Sequence, residues 1–207
     1  MSSDLHGWIR TWQDLGRPAA DEGLYRRLYT CWSEPHRRYH STQHLHECMQ
    51  NFDAVRGLAI EPGEVALGLW FHDAFYDAQR SDNETRSADW AAQSVRQSGL
   101  DEDVAGRVHA LVMATLHTAA PEGPDAQLLV DIDLSILGAE AARFDESNRQ
   151  IREEYAHVPE EQFRIGRRRV LTGFLGRPRL YSTEHFHSQL ETRARSNLQR
   201  ALDRLGA

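Results

Sequence analysis

A chain of 207 residues, 40% hydrophobic and 27% charged, has the balance of an ordinary folded domain, which excludes a disordered or fibrous protein. It carries 24 basic and 31 acidic residues, and every basic residue is arginine, which excludes a lysine nucleophile or Schiff base. A net charge of −7 gives no basic field for duplex nucleic acid, and the run Arg167-Arg168-Arg169 is too short to change that.

A domain of this size buries roughly 70% of the surface its unfolded chain exposes, so it needs neither metal nor disulfide to hold together. A metal site here needs a functional reason. No apolar stretch approaches the roughly 20 residues of a membrane-spanning helix. Residues 1–12 lack the basic start and apolar run of a signal peptide, so no leader is expected. Two cysteines, Cys31 and Cys48, are too few for a disulfide framework and read as reduced thiols of a cytoplasmic protein.

Taken in order, the periodicity is helical nearly throughout. Leu5, Trp8, Ile9 and Trp12 form one helical face, and residues 24–32 repeat the pattern until Pro35. A helix over about 41–56 follows, with Ser41 or Thr42 as N-cap. After the break at Glu61-Pro62-Gly63, residues 64–76 are apolar on more than one face, as in a buried helix. Helices are expected over 83–97 and 101–117, the second closed by a loop with two prolines. Residues 127–137 suit a buried strand or a buried helix, and the near absence of other strand candidates favours the helix. Stretches 139–155, 159–176 and 183–205 complete an all-α bundle of about eight to ten helices in a single domain.

Eleven histidines are many for this length, and several fall beside carboxylates. His40 and His44 are four apart, His72-Asp73 lies in the most apolar helix, and Asp131 and Asp133 lie in the next most apolar segment. A carboxylate buried in such surroundings needs a partner, and a divalent cation is a natural one. Imidazole with carboxylate suits Mn, Fe, Zn or Ni, with Mg also compatible. Two histidines and two aspartates leave positions open, as catalytic sites do.

The order His, then His-Asp, then a distant Asp resembles the HD superfamily of metal-dependent phosphohydrolases. Here it reads His40-Ser41-Thr42-Gln43-His44, then His72-Asp73, then Asp131-Ile132-Asp133-Leu134-Ser135. The lead-in Glu34-Pro35-His36-Arg37-Arg38-Tyr39, the string Asp82-Asn83-Glu84, and Glu191, Arg193, Arg195 and Asn197 resemble a bacterial subgroup described only as predicted HD phosphohydrolases. The likeness runs along nearly the whole chain. It implies one HD-type domain over 1–207, with a metal-site core over about 24–140 and C-terminal helices over about 141–205 packed on it.

The resemblance implies a function: cleavage of a small phosphate ester or nucleotide by metal-activated water. It implies His44, His72, Asp73 and Asp133 as ligands of one or two divalent ions, with Asp73 placed to bridge two. His46 competes as first ligand and Asp131 as last, the triplet Asp133-Leu134-Ser135 favouring Asp133. By likeness to cyclic-nucleotide phosphodiesterases, His40 is the general acid; the asparagine of their string is Ser41 here. Glu84 and Asp77 are candidates to orient water or pair with an arginine. Arg37, Arg38 and Arg193 are candidates for the phosphoryl oxygens. His117 is a candidate ligand or substrate contact, and His109 a packing or surface residue. Tyr76 and Trp70 are candidates to line the pocket. His157, His185 and His187 receive no role. The partners implied are a small phosphorylated substrate, with no duplex nucleic acid and no membrane. The C-terminal helices are expected to close over the cleft or to form a homodimer. Two other readings stand beside this one: a di-iron oxygenase, which needs extra histidine ligands, and a non-catalytic nucleotide-binding module.

Overall fold

The computed structural model describes residues 3–17 and 19–206; residues 1–2 of the stretch read for a leader lie outside them. It is an all-α bundle with no strand among the described residues. The helices are α1 (Ser3–Asp14), α2 (Glu22–Trp32), α3 (Thr42–Val55), α4 (Pro62–Phe71), α5 (Asn83–Gln97), α6 (Glu102–Met113), α7 (Pro124–Asp133), α8 (Ala141–Glu154), α9 (Glu160–Leu175) and α10 (Glu184–Gly206). Short 3₁₀ turns follow α3, α6 and α7 at Arg56–Leu58, Ala114–Leu116 and Leu134–Gly138. No described helix is long and apolar enough to cross a membrane.

α4 is the central post. Every residue of it except Pro62 is buried, as its apolar residues on all faces require. α1, α3, α5, α6 and α7 all pack against it. Gly68 lets α6 and α7 approach closely, because a Cβ there would lie 2.6 Å from Leu129 Cδ1 and 3.3 Å from Leu111 Cβ. Glu64 is buried on α4 and is held by both ends of the Arg107 guanidinium, at 2.6 and 2.8 Å. At the far end Trp8, Trp12, Tyr25 and Trp70 lock α1 and α2 onto the post through edge-to-face contacts.

Three helices end earlier than their periodicity suggests. The run over 64–76 leaves the helix at Phe71, so His72 and Asp73 stand in the turn that follows α4. The cause lies far off in sequence. Arg37 donates to the carbonyls of Asp73 (2.6 Å) and Ala74 (2.9 Å), which replaces the next helical turn as their partner. The run over 101–117 tightens to 3₁₀ after Met113, and His117 closes it with φ 55°, in the left-handed region. The run over 127–137 begins at Pro124, where the absent N–H costs nothing, and becomes 3₁₀ after Asp133.

The C-terminal helices are tied to that last turn. Tyr181 donates through its hydroxyl to Leu134 O at 3.1 Å, and Asn197 Nδ2 donates to Leu137 O and Ala139 O at 2.9 Å each. These bonds anchor the chain just after Asp133 to α10 and its lead-in.

Candidate metal centre

Three separate stretches meet at the C-terminal end of α4. α3 presents His44, and Cys48 one turn further along the same face. The turn after α4 presents His72 and Asp73, and the last residue of α7 presents Asp133. His44 Nε2 lies 3.1 Å from His72 Nε2 and 3.1 Å from Asp133 Oδ1. His72 Nε2 lies 3.2 Å from Asp73 Oδ2 and 3.6 Å from Asp133 Oδ1. Asp73 Oδ2 is 4.0 Å from His44 Nε2. One donor atom each from His44, Cys48, His72 and Asp133 fits within 4.8 Å of the others.

His72 Nδ1 faces Leu69 O at 2.8 Å, so that nitrogen carries the proton in the neutral ring. Its Nε2 lone pair then points at His44 and the carboxylates. A ligating histidine is commonly held in this way, with the other ring nitrogen bonded to a carbonyl. Without a cation the cluster holds a proton instead. Burial pushes the His72 imidazole down, but Asp73 and Asp133 override it and raise it to about 9. Burial works against the charged form of Asp73 and Asp133 too, yet the surrounding imidazoles hold both carboxyls below their ordinary range. A cation held here would replace that proton, with His44, His72, Asp133 and Cys48 as the residues that would hold it. The donors fit a divalent metal ion.

The two aspartates of α7 part company. Two residues apart on a helix, they point about 200° away from each other. Asp131 accepts from Ser182 N (2.8 Å), Thr183 N (2.7 Å) and Thr183 Oγ1 (2.6 Å), and so fixes the entry to α10. Asp133 faces the cluster. Its second oxygen lies 2.9 Å from His117 Nε2, which brings a third imidazole to the edge of the site. His117 Nδ1 is buried with no hydrogen-bond partner. His46 turns the other way on α3, towards Tyr29.

His40 stands on the wall of the adjoining cavity, its ring stacked on Tyr76 with centroids 4.1 Å apart. Its Nδ1 is 2.7 Å from Glu154 Oε2, and its Nε2 has no hydrogen bond among the described residues. Burial pulls the imidazole down, but Asp73 and Glu154 raise it above its ordinary value. Glu154 is the residue the sequence hid. Its Oε1 accepts from the backbone N–H groups of Arg38, Tyr39 and His40 at 2.8, 2.8 and 3.0 Å, and its Oε2 also accepts from the Tyr76 hydroxyl at 2.8 Å. Burial opposes its charge, but this set of donors, His40 foremost, holds the carboxyl at about 2. Nothing in the string Arg152-Glu153-Glu154 distinguishes it from surface charge. Cys48 did leave a signal, its spacing of four from His44, with Sγ 3.7 Å from that ring. Burial keeps its thiol well above the ordinary value.

The remaining candidates divide. Glu84 lines the cavity and has no hydrogen-bond or ion-pair partner among the described residues. Arg37 does not face it. The side chain is fully buried and spends four of its five donors on Glu34, His40 O, Asp73 O and Ala74 O, so it fastens two loops and has little left for a phosphate. Arg38 lies in a separate groove, 3.6 Å from Glu153. Asp77 lines that same groove and shapes its loop, accepting from Gln79 N at 2.9 Å. Arg193 on α10 pairs with Glu140 at 2.6 Å and is absent from the cavity. Trp70 is core, donating to Thr11 Oγ1 at 3.2 Å. His109 pairs with Asp89 at 3.3 Å away from the cluster. Compared with protein families, curated proteins and solved structures, the chain matches none of them.

Proposed function

We propose that this chain is a cytoplasmic metal-dependent phosphohydrolase of the HD superfamily, acting on a small phosphate ester. The observation that carries the reading is the meeting of His72 and Asp133 at 3.1 Å each from His44, behind a cavity that Asp73, Asp133 and His40 line. His44, His72, Asp133 and Asp73 are the residues to hold the ion, with Cys48 beside them. Nitrogen and sulfur donors favour Zn, Fe, Ni or Mn over Mg, which prefers oxygen. A divalent cation supplies Lewis-acid polarisation and makes water acidic enough to attack phosphorus at neutral pH.

The protein's own groups do the rest. Glu154 fixes the His40 ring by its Nδ1–H and leaves Nε2–H towards the cavity. Asp73 and Glu154 raise the affinity of His40 for its proton, which favours the charged form that protonates a leaving alkoxide. Glu84, without a protein partner, is placed to orient water. The test is turnover of 1-naphthyl phosphate by protein stripped with chelator and reloaded separately with Mn, Fe, Ni and Zn. Activity should return only with metal, and His40→Gln should lower kcat by roughly 10²–10⁴ with metal content unchanged. Full activity in the stripped protein would overturn the proposal.

One observation favours a second reading. His117 adds a third imidazole on the far oxygen of Asp133, as a two-iron oxygenase would need. Two irons per chain with O₂ uptake, and no phosphatase activity in any metal, would establish it instead.

A further inference from the structure

The cavity in front of the cluster has a volume of about 780 Å³, towards the upper end of the roughly 300–1,000 Å³ usual for small-molecule sites. One wall is Asp73 and Asp133 of the cluster, with His117, His40 and Tyr39. The opposite wall is α9 and the residues after it. Three arginines line it: Arg167, Arg169 and Arg177. Most arginines of this chain are paired with a carboxylate, but none of these three forms an ion pair among the described residues.

Among the described residues Arg167 has one side-chain hydrogen bond, from Nη2 to Asn148 Oδ1 at 2.9 Å. Arg177 has one, from Nη2 to His117 O at 2.7 Å, and its guanidinium sits 4.7 Å from the Phe174 ring centre. Each therefore keeps most of its donors unused beside the cluster. Burial alone pushes both below the ordinary arginine range. A partly buried cation without a counter-charge carries a cost, and an anion bound between two such groups lowers it.

Much of the rest of the lining is apolar, with Glu84 and Tyr155 among its polar members. Leu137, Phe144, Ile151, Phe163, Val170 and Phe174 supply its broad face. The lining hydroxyls of Thr115 and Ser147 donate to carbonyls within their own helical segments. Gln162 is the one amide side chain on it. Beyond Glu84, Gln162 and the tyrosines, the edges of a nucleobase and the hydroxyls of a sugar would find few partners here. An aromatic or branched aliphatic group would find a continuous surface.

We propose that this cavity is a receptor for organic phosphates with an apolar body, whose phosphate is clamped by Arg167 and Arg177 against the metal cluster. The proposal rests on the phosphohydrolase reading for the place of the phosphate, and binding tests it without turnover. Metal-loaded protein is titrated by calorimetry with 1-naphthylmethylphosphonate, methylphosphonate and adenosine 5′-monophosphate. The naphthyl compound should bind at least tenfold tighter than either other probe. Arg167→Met and Arg177→Met should each weaken it about tenfold at unchanged metal content. Val170→Asp, at a position already 47% exposed and so tolerant of change, should weaken the naphthyl compound and leave methylphosphonate alone. Equal affinity for the naphthyl and methyl compounds would overturn the apolar receptor, as would tighter binding of the nucleotide. Unchanged affinity in both arginine variants would overturn the clamp. Tight phosphonate binding with no hydrolysis of 1-naphthyl phosphate in any metal would defeat the hydrolase reading and leave the receptor standing.

Discussion

The cavity has two walls of different build. On the inner side, α3, the turn after α4, and α7 deliver His44, His72 and Asp133 from the packed interior, and the three side chains contact one another across these elements. On the outer side, α9 has Leu171 as its one buried residue and leaves Ile165 and Val170 largely exposed. Close packing on one side fixes donor atoms to within tenths of an ångström, which a metal site requires. Sparse packing on the other leaves arginines and apolar side chains with room to adjust to a ligand. On the proposed function, the inner wall is the part that does the chemistry and the outer wall the part that chooses the substrate.

Substitutions can break that comparison, and the largest effect on stability should come from Glu154. Its carboxyl ties three backbone N–H groups, His40 and Tyr76 to the end of α8. Its proton affinity is depressed from 4.5 to about 2, so its contribution is full above pH 4.5 and is lost as pH falls through about 2. That shift corresponds to about 3 kcal/mol. Denaturant midpoints of wild type should fall across this window, and those of Glu154→Gln should start lower and vary less. Identical pH profiles would show that the His40 loop does not depend on Glu154.

Two glycines sharpen the contrast at smaller scale. Gly68→Ala on α4 places a methyl 2.6 Å from Leu129 Cδ1 and should cost about 1–3 kcal/mol. Gly173→Ala on α9 meets nothing within 4 Å and should gain up to about 1 kcal/mol through helix propensity. Thermal melts of the two variants should move in opposite directions. A loss at Gly173 equal to that at Gly68 would mean that the outer wall is as tightly built as the inner one.

The helices were legible because apolar spacing is local. Their ends were not, because distant residues set them. α4 stops at Phe71 when Arg37, more than thirty positions earlier, takes up the carbonyls of Asp73 and Ala74. The same bonds explain why Arg37 looked like a phosphate ligand and is a fastener. The His44, His72-Asp73 and Asp133 series stood out because ionisable groups are rare in apolar runs. Glu154 and Arg167 did not, since Arg152-Glu153-Glu154 and Arg167-Arg168-Arg169 read as solvated charge. Only packing shows which member of each string turns inward. Asp131 and Asp133 make the same point in three residues: helical phase sends one to the entry of α10 and the other to the cluster.

That pair also gives the most direct test of the central claim. Wild type, Asp133→Asn and Asp131→Asn are dialysed against one divalent ion at a time, freed of excess by gel filtration, and analysed for metal. Wild type and Asp131→Asn should each hold about one equivalent or more of Zn, Fe, Ni or Mn, the latter in a less stable fold, while Asp133→Asn should hold a small fraction of that. Equal metal in all three, or none in any, would contradict a metal centre at His44, His72 and Asp133.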